Sequence, residues 1–502
     1  MNRLRLITLV ALGTAAVLGL WFLISRPEPA ERRQTSVVVL PLRTFSLNLD
    51  PASMADIDSR KVATLLYTGL VAVDPDGTVR PRLARSWSRS RPDTIEFTLA
   101  DGVTFPDGSP LTAERVVASL CASMQPSHIQ SWSLASIAHR VPAGSKAVEC
   151  TGLQVRGASV VSVREERPTP WLMEALAGPG GWIVDTRHRP GAYGIRAGTG
   201  PYVVKAVLPD SRIDLAGRAR GAITPRVERI QFRYVADDAL AASNFNTGQL
   251  DFLEIDTPQL QQLVGNKEGE LLRRDSRVLM SSVERVRVVV FNMQRLQRIG
   301  RGAGGASFIA SYFRAVPRAQ IAGRSLGLAE PLESSFPPSP NPQADVAAPA
   351  LPANSPGGAM TLLTESDPYS DLIASQLPGR VGSSTIRYRT VDRGTLIGAL
   401  LKGNFDAALI KVEATHHIPK FWAAFFTPGD PYVAFGTPIA GLTNLDLASS
   451  EGLARTSALI NSQGNWVPVL RERGRFAHSS RMHGIRFTAS GQLSFEEISV
   501  AP

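Results

Sequence analysis

The stretch from Tyr67 to Leu120 restricts the fold of this chain more than any other, because turns, strands and a helix start follow one another in a fixed order. Asp74-Pro75-Asp76-Gly77 and Pro106-Asp107-Gly108 carry turn chemistry: Asp accepts local hydrogen bonds, and Gly takes positive φ at no steric cost. Thr94 to Leu99 and Val103 to Phe105 read as strands set among these turns. Thr112 then stands at an N-cap position, Glu114 faces the positive helix end, and Val116, Val117 and Leu120 form an apolar stripe. The stretch is an αβ corner of a larger domain.

The order of these pieces resembles the signature of the family 5 extracytoplasmic solute-binding proteins. Gly69-Leu70-Val71, Pro81, Leu83-Ala84, Ser86-Trp87, Phe105, Asp107-Gly108 and Pro110 to Glu114 carry the match in order and spacing. Arg115 departs from it, standing where the family usually has Asp, and it suits the helix dipole less well. The resemblance implies a two-lobed α/β fold of the periplasmic binding protein type, with mixed sheets and a hinge. It implies no enzyme and no cofactor, but a receptor that delivers a peptide-like or other small organic solute to an ABC importer. Its partners would be permease and ATPase subunits. A membrane-anchored periplasmic sensor or scaffold that keeps this fold without transport is the alternative.

At 502 residues the chain exceeds one ordinary core, which predicts two or three lobes. A hydrophobic fraction of 43% with 20% charged residues is globular. The net charge of +10 raises nucleic acid as a partner, but the basic residues are scattered. The densest run, Arg80 to Arg91, has no nucleic-acid motif beside it, so none is expected to bind. Leu6 to Ile24 is uncharged and preceded by Arg3 and Arg5. A helix of that length nearly spans a hydrocarbon core of roughly 30 Å. Residues 1–25 are therefore expected to anchor the chain at the periplasmic face of the inner membrane through an N-terminal transmembrane helix. A cleaved signal peptide is the competing reading, although Pro27-Glu28-Pro29-Ala30 is a poor cleavage site. Outward orientation rests on the resemblance, and a monomer is expected. The two cysteines, Cys121 and Cys150, leave two readings open: a disulfide worth roughly 3–4 kcal/mol, or two packed thiols.

After a tether over residues 26–35, the expected divisions are lobe I over 36–262, a crossing over 263–278, lobe II over 279–464, a second crossing over 465–475, and a return to lobe I over 476–502. Gly198-Thr199-Gly200 reads as a sharp reversal before a strand from Tyr202. Tyr312 to Ala322 has helical register, and the Pro-, Ala- and Ser-rich run 335–358 reads as an exposed linker. From Met360 to Ile410 strands alternate with helices, which predicts a mixed or parallel sheet.

The candidate site follows from the resemblance and from one departure. Aligning Phe405-Asp406 and Pro419 with the family's cleft-crossing segment puts Lys411-Val412 at its Gly-Trp, and Thr415 at the Asp that pairs with a ligand ammonium. Glu413, two residues away on the same face of an extended segment, would replace that carboxylate. Alternatively Lys411, His416 and His417 make a cationic wall for an anionic ligand. Adjacent His residues point to opposite sides of a strand and cannot by themselves chelate one metal, so no metal is expected. Asn292 would donate to a ligand carbonyl or cap its strand, and Trp171 would offer a flat apolar contact or sit in the core. Neither G-x-S-x-G nor H-E-x-x-H occurs.

Overall fold

The computed structural model describes residues 37–501 except 46, 55, 146, 267–269, 300–303, 333–357, 414–418, 429–435, 443–444, 448 and 489–492. The expected anchor and tether, and most of the expected linker, lie outside the described residues. Among those described, no helix is long and apolar enough to cross a membrane.

Two long strands organise the molecule. Ser276–Phe291 and Trp466–Ser479 pair antiparallel along most of their length at the centre of an eight-stranded sheet. Their register slips between Ser281 and Arg285, opposite Gly474 and Glu472, so that each strand is divided into a lobe I half and a lobe II half. The slip lies inside the expected crossing 465–475 but C-terminal to the expected crossing 263–278. On the lobe I side Phe252–Glu254 adds to the sheet; on the lobe II side Ala407–Glu413, Ala359–Glu365 and Ser384–Val391 follow in that order. Ala359–Glu365 is parallel to both of its neighbours, whereas the long strands are antiparallel, so the sheet is mixed. Pro368–Ala374 and Arg393–Leu401 are the intervening helices, N-capped by Asp367 and Asp392.

Two of the cores of lobe I surround its sheets. One surrounds the sheet in which Val37–Leu42 runs parallel to Arg229–Tyr234, followed by Arg212–Gly217 and Tyr202–Leu208. The other surrounds the antiparallel sheet of Ala84–Arg91, Thr94–Leu99, Val160–Arg164 and Leu153–Gly157. The signature stretch supplies the second core. Thr112 Oγ1 accepts from Arg115 N at 3.4 Å to start the helix Ala113–Ser123, and Val116 and Leu120 are fully buried. Gly108 takes φ 82°, which the turn requires. Cys121 and Cys150 are joined by a disulfide with Cα atoms 5.7 Å apart, tying that helix to the segment before Leu153.

Three local expectations need correction. Val103 to Phe105 forms only an isolated bridge, Thr104 to Pro110, because the turn at 106–109 folds the segment back at once. The helix expected over Tyr312 to Ala322 is two, Gly304–Ala315 and Arg318–Gly323, since Pro317 cannot donate to the first. Gly198 and Gly200 serve close approach rather than positive φ: a Cβ on Gly198 would lie 2.2 Å from the Leu66 carbonyl oxygen.

Candidate functional site

The direction of the lobe II strands decides where a site can form. Arg285 pairs in register with Glu413 and Phe291 with Ala407, so Ala407–Glu413 points its carboxyl end back toward lobe I. Ala359–Glu365 and Ser384–Val391 are parallel to it and end on the same side. Ligands of open α/β sheets bind outside the carboxyl ends of parallel strands. Lobe I closes over that edge along two seams.

The first seam is apolar. Ile129, Trp132 and Trp171 of lobe I pack into the cluster that holds Phe421, Trp422, Phe425 and Trp466 of lobe II. Trp132 is only 2% exposed, and its ring centroid lies 5.9 Å from that of Phe421. Trp171 is partly buried there, at the lobe junction, so it is both a packing residue and adjacent to the strand edge.

The second seam is ionic and lies on the opposite face of the sheet. Alternation along Ala407–Glu413 sends Ala408, Ile410 and Val412 into the aromatic cluster, and Lys411 and Glu413 to the other side. Glu413 accepts from Arg285 Nε at 2.7 Å and faces Arg60 Nη2 of lobe I at 3.9 Å. Arg285 also pairs with Glu254, which takes Lys61 Nζ at 2.8 Å, and Lys61 reaches Asp58 at 3.1 Å. All five side chains from Lys61 through Glu254, Arg285 and Glu413 to Arg60 are buried at the junction.

Burial pushes the Glu254 carboxyl upward, but Arg285 and Lys61 outweigh it and hold the group well below the usual carboxylate range. Lys61 is the mirror case: burial lowers it, and Glu254 and Asp58 raise it above its ordinary value. Asp256 behaves differently. Burial raises it, Lys411 opposes only in part, Glu254 adds repulsion, and its Oδ1 makes no hydrogen bond.

The expected site residues are not all brought together. Lys411 and Glu413 share one face at the junction. Thr415, His416 and His417 lie outside the described residues. Asn292 sits at the far end of the sheet, beside Ala407, about 20 Å from Glu413 across a seven-residue strand. There its Nδ2 donates to the Gly403 carbonyl at 2.8 Å and its Oδ1 accepts from Arg295 N at 3.2 Å. Of its two expected roles, the cap is the one that this geometry serves. The carboxylate of Glu413 is itself engaged by the protein's own guanidinium groups.

Sequence reasoning missed Arg60, Lys61, Glu254, Arg285 and Trp132. Four of them carried a signal: a charge inside an apolar run, as in Phe252-Leu253-Glu254-Ile255 and in the strand around Arg285 and Arg287, or paired within a helix whose other residues are largely apolar. Buried charges require partners. Which partners they find depends on chain crossings that local pattern does not encode.

Asp107, Asp185 and His188 bring ligand atoms within 4.8 Å of one another in lobe I. A cation of the chain already serves the two carboxylates: Arg187 Nη2 lies 2.6 Å from Asp185 and 3.1 Å from Asp107. Ser109, and then Arg187, lower the Asp107 carboxyl to about 2.

The chain is similar to solved structures over 93% of its length. It is 29% identical to the nickel-binding periplasmic protein of Escherichia coli over 197 residues, a match that takes in 38% of this chain and 36% of the relative. The murein tripeptide binding protein MppA of Escherichia coli superposes with a TM-score of 0.76 at 16% identity, covering 93% of this chain and 99% of that one, which establishes the fold. An unliganded open form of MppA superposes over the same 93% of this chain, and 98% of its own, at a TM-score of only 0.60 and 16% identity. The profile of the bacterial extracellular solute-binding proteins, family 5 (Middle), matches residues 78–415, and the chain belongs to that family.

Proposed function

We propose that this chain is the extracytoplasmic receptor of an ABC importer, capturing a peptide-like or other small organic solute between its lobes. The observation that carries the proposal is the sheet whose parallel strands end at the lobe junction, in a chain that crosses between lobes on two long paired strands. A ligand held there gains contacts from both lobes only when they close, so binding shifts an open-closed equilibrium toward the closed form. The closed form then docks on a permease driven by a separate ATPase, while residues 1–25 anchor the chain at the periplasmic face of the inner membrane. The register slip at 281–285 and 472–474 is the hinge.

Lys411 forms the lobe II edge and Trp171 the lobe I wall of the binding surface, and Thr415, His416 and His417 are further ligand contacts. Glu413 positions that edge through Arg285. Relatives named for nickel, murein peptide and glutathione binding support a peptide or chelate as the ligand class. Thermal melts and small-angle scattering of the protein across di-, tri- and tetrapeptides, nickel chelates and glutathione test the reading. A ligand is expected to raise the Tm by several degrees and hold the radius of gyration at its compact value; unchanged melts across the whole panel would refute it.

A further inference from the structure

The ionic seam leaves one carboxylate and one ammonium over. Glu254 closes the lobe I strand Phe252–Glu254 and Asp256 follows it by two residues, while Lys411 and Glu413 come from the lobe II strand Ala407–Glu413. Arg285 joins Glu254 to Glu413 across the junction. Asp256 and Lys411 remain. Of the cations that act on Asp256, Lys411 acts most strongly, ahead of Arg43 and Arg285. Yet the two are not within ion-pair distance, and among the described residues neither makes a hydrogen bond or an ion pair. The charges around them are committed elsewhere. Arg43 pairs with Asp238, Arg285 is shared by Glu254 and Glu413, and Glu254 holds both Arg285 and Lys61. Asp256 and Lys411 are both partly buried, so water compensates neither charge in full.

We propose that these two residues bind the two ends of a zwitterion, Asp256 taking a ligand ammonium and Lys411 a ligand carboxylate. The inference rests on reading the lobe junction as the solute site, and it narrows the solute to one that carries both charges, such as a short peptide. It also bears on Thr415, which stands where the resemblance places an ammonium-pairing Asp: the carboxylate comes from lobe I instead. Because each lobe supplies one contact, the ligand is held at both ends only in the closed form, which is the condition for binding to shift the open-closed equilibrium. The state of Asp256 agrees. Burial raises its carboxyl, Lys411 opposes and Glu254 adds repulsion, so an arriving ammonium stabilises the ionised form.

Calorimetric titration of the full chain with each di-, tri- or tetrapeptide that raises the Tm, taken free, N-acetylated and as the C-terminal amide, tests this. Each blocked form is expected to bind about tenfold to a hundredfold more weakly than the free peptide, the size of one charged hydrogen-bond contact. Asp256→Asn should weaken the free peptide by a similar factor and abolish the penalty for acetylation while leaving that for amidation. Lys411→Met should do the converse. The blocked peptides on the wild-type chain keep the test decisive should a variant fold poorly. Blocked forms that bind as tightly as the free peptide, or an acetylation penalty that survives Asp256→Asn, would overturn the zwitterion and leave the receptor reading standing. So would a Tm raised by nickel chelates alone, whereas no shift with any compound would overturn both.

Discussion

The two seams that join the lobes differ in what their closure costs. At the apolar seam Trp132 and Trp171 meet Phe421 and its neighbours, and each ångström squared of area removed from water contributes about 25 cal/mol without regard to direction. At the ionic seam Lys61, Glu254, Arg285, Glu413 and Arg60 must all be taken out of water, and only good geometry compensates. One seam tolerates sliding, whereas the other fixes which residues meet. Closure thus gains energy on one face of the lobe II sheet and register on the other.

Removing the central cation should separate the seams most sharply. Arg285→Met would leave Glu254 and Glu413 buried with one cation partner fewer each, and should lower unfolding stability by about 3–5 kcal/mol in urea titrations. That loss should shrink as pH falls toward about 5, because the freed carboxyls then take up protons. Trp132→Ala should cost about 3 kcal/mol through the cavity it leaves, with no change between pH 5 and pH 8. If both variants showed the same pH profile, the distinction between the seams would collapse.

The wild-type protein sharpens the comparison through Glu254. Its folded pKa lies below the ordinary value, so its contribution is fully present above about pH 4.5 and is lost as pH falls through the depressed value. The urea midpoint should decline across that acid window, and Arg285→Met should flatten the decline. The smallest effect belongs outside both seams: Thr112→Ala should cost about 1 kcal/mol by removing the N-cap, while leaving the pH profiles of both seams unchanged.

Much of the scaffold is legible in local pattern. The turn residues, the Thr112 cap and the stripe Val116 and Leu120 act within a few residues of one another, so the sequence alone carries them. The alternation of strands and helices from Met360 to Ile410 is equally local, and it predicts the sheet that forms. The candidate site was legible only in part. Lys411 and Glu413 were placed on one face correctly because a strand has a period of two. The role expected of Glu413 could not foresee Arg285 and Arg60, which arrive from a crossing strand 128 residues earlier and from the first helix of lobe I. The two roles of Asn292 stayed open for a similar reason: a strand's end says nothing of which end of the sheet faces the other lobe.

By itself, then, the sequence determined the family signature, the element types and the presence of two cysteines, since these rest on neighbouring residues and on spacing. Tertiary structure decided that the cysteines are bridged and that the buried charges form one chain across the lobe junction. Each of these depends on distances between segments far apart in the chain, and local propensity contains no such distances.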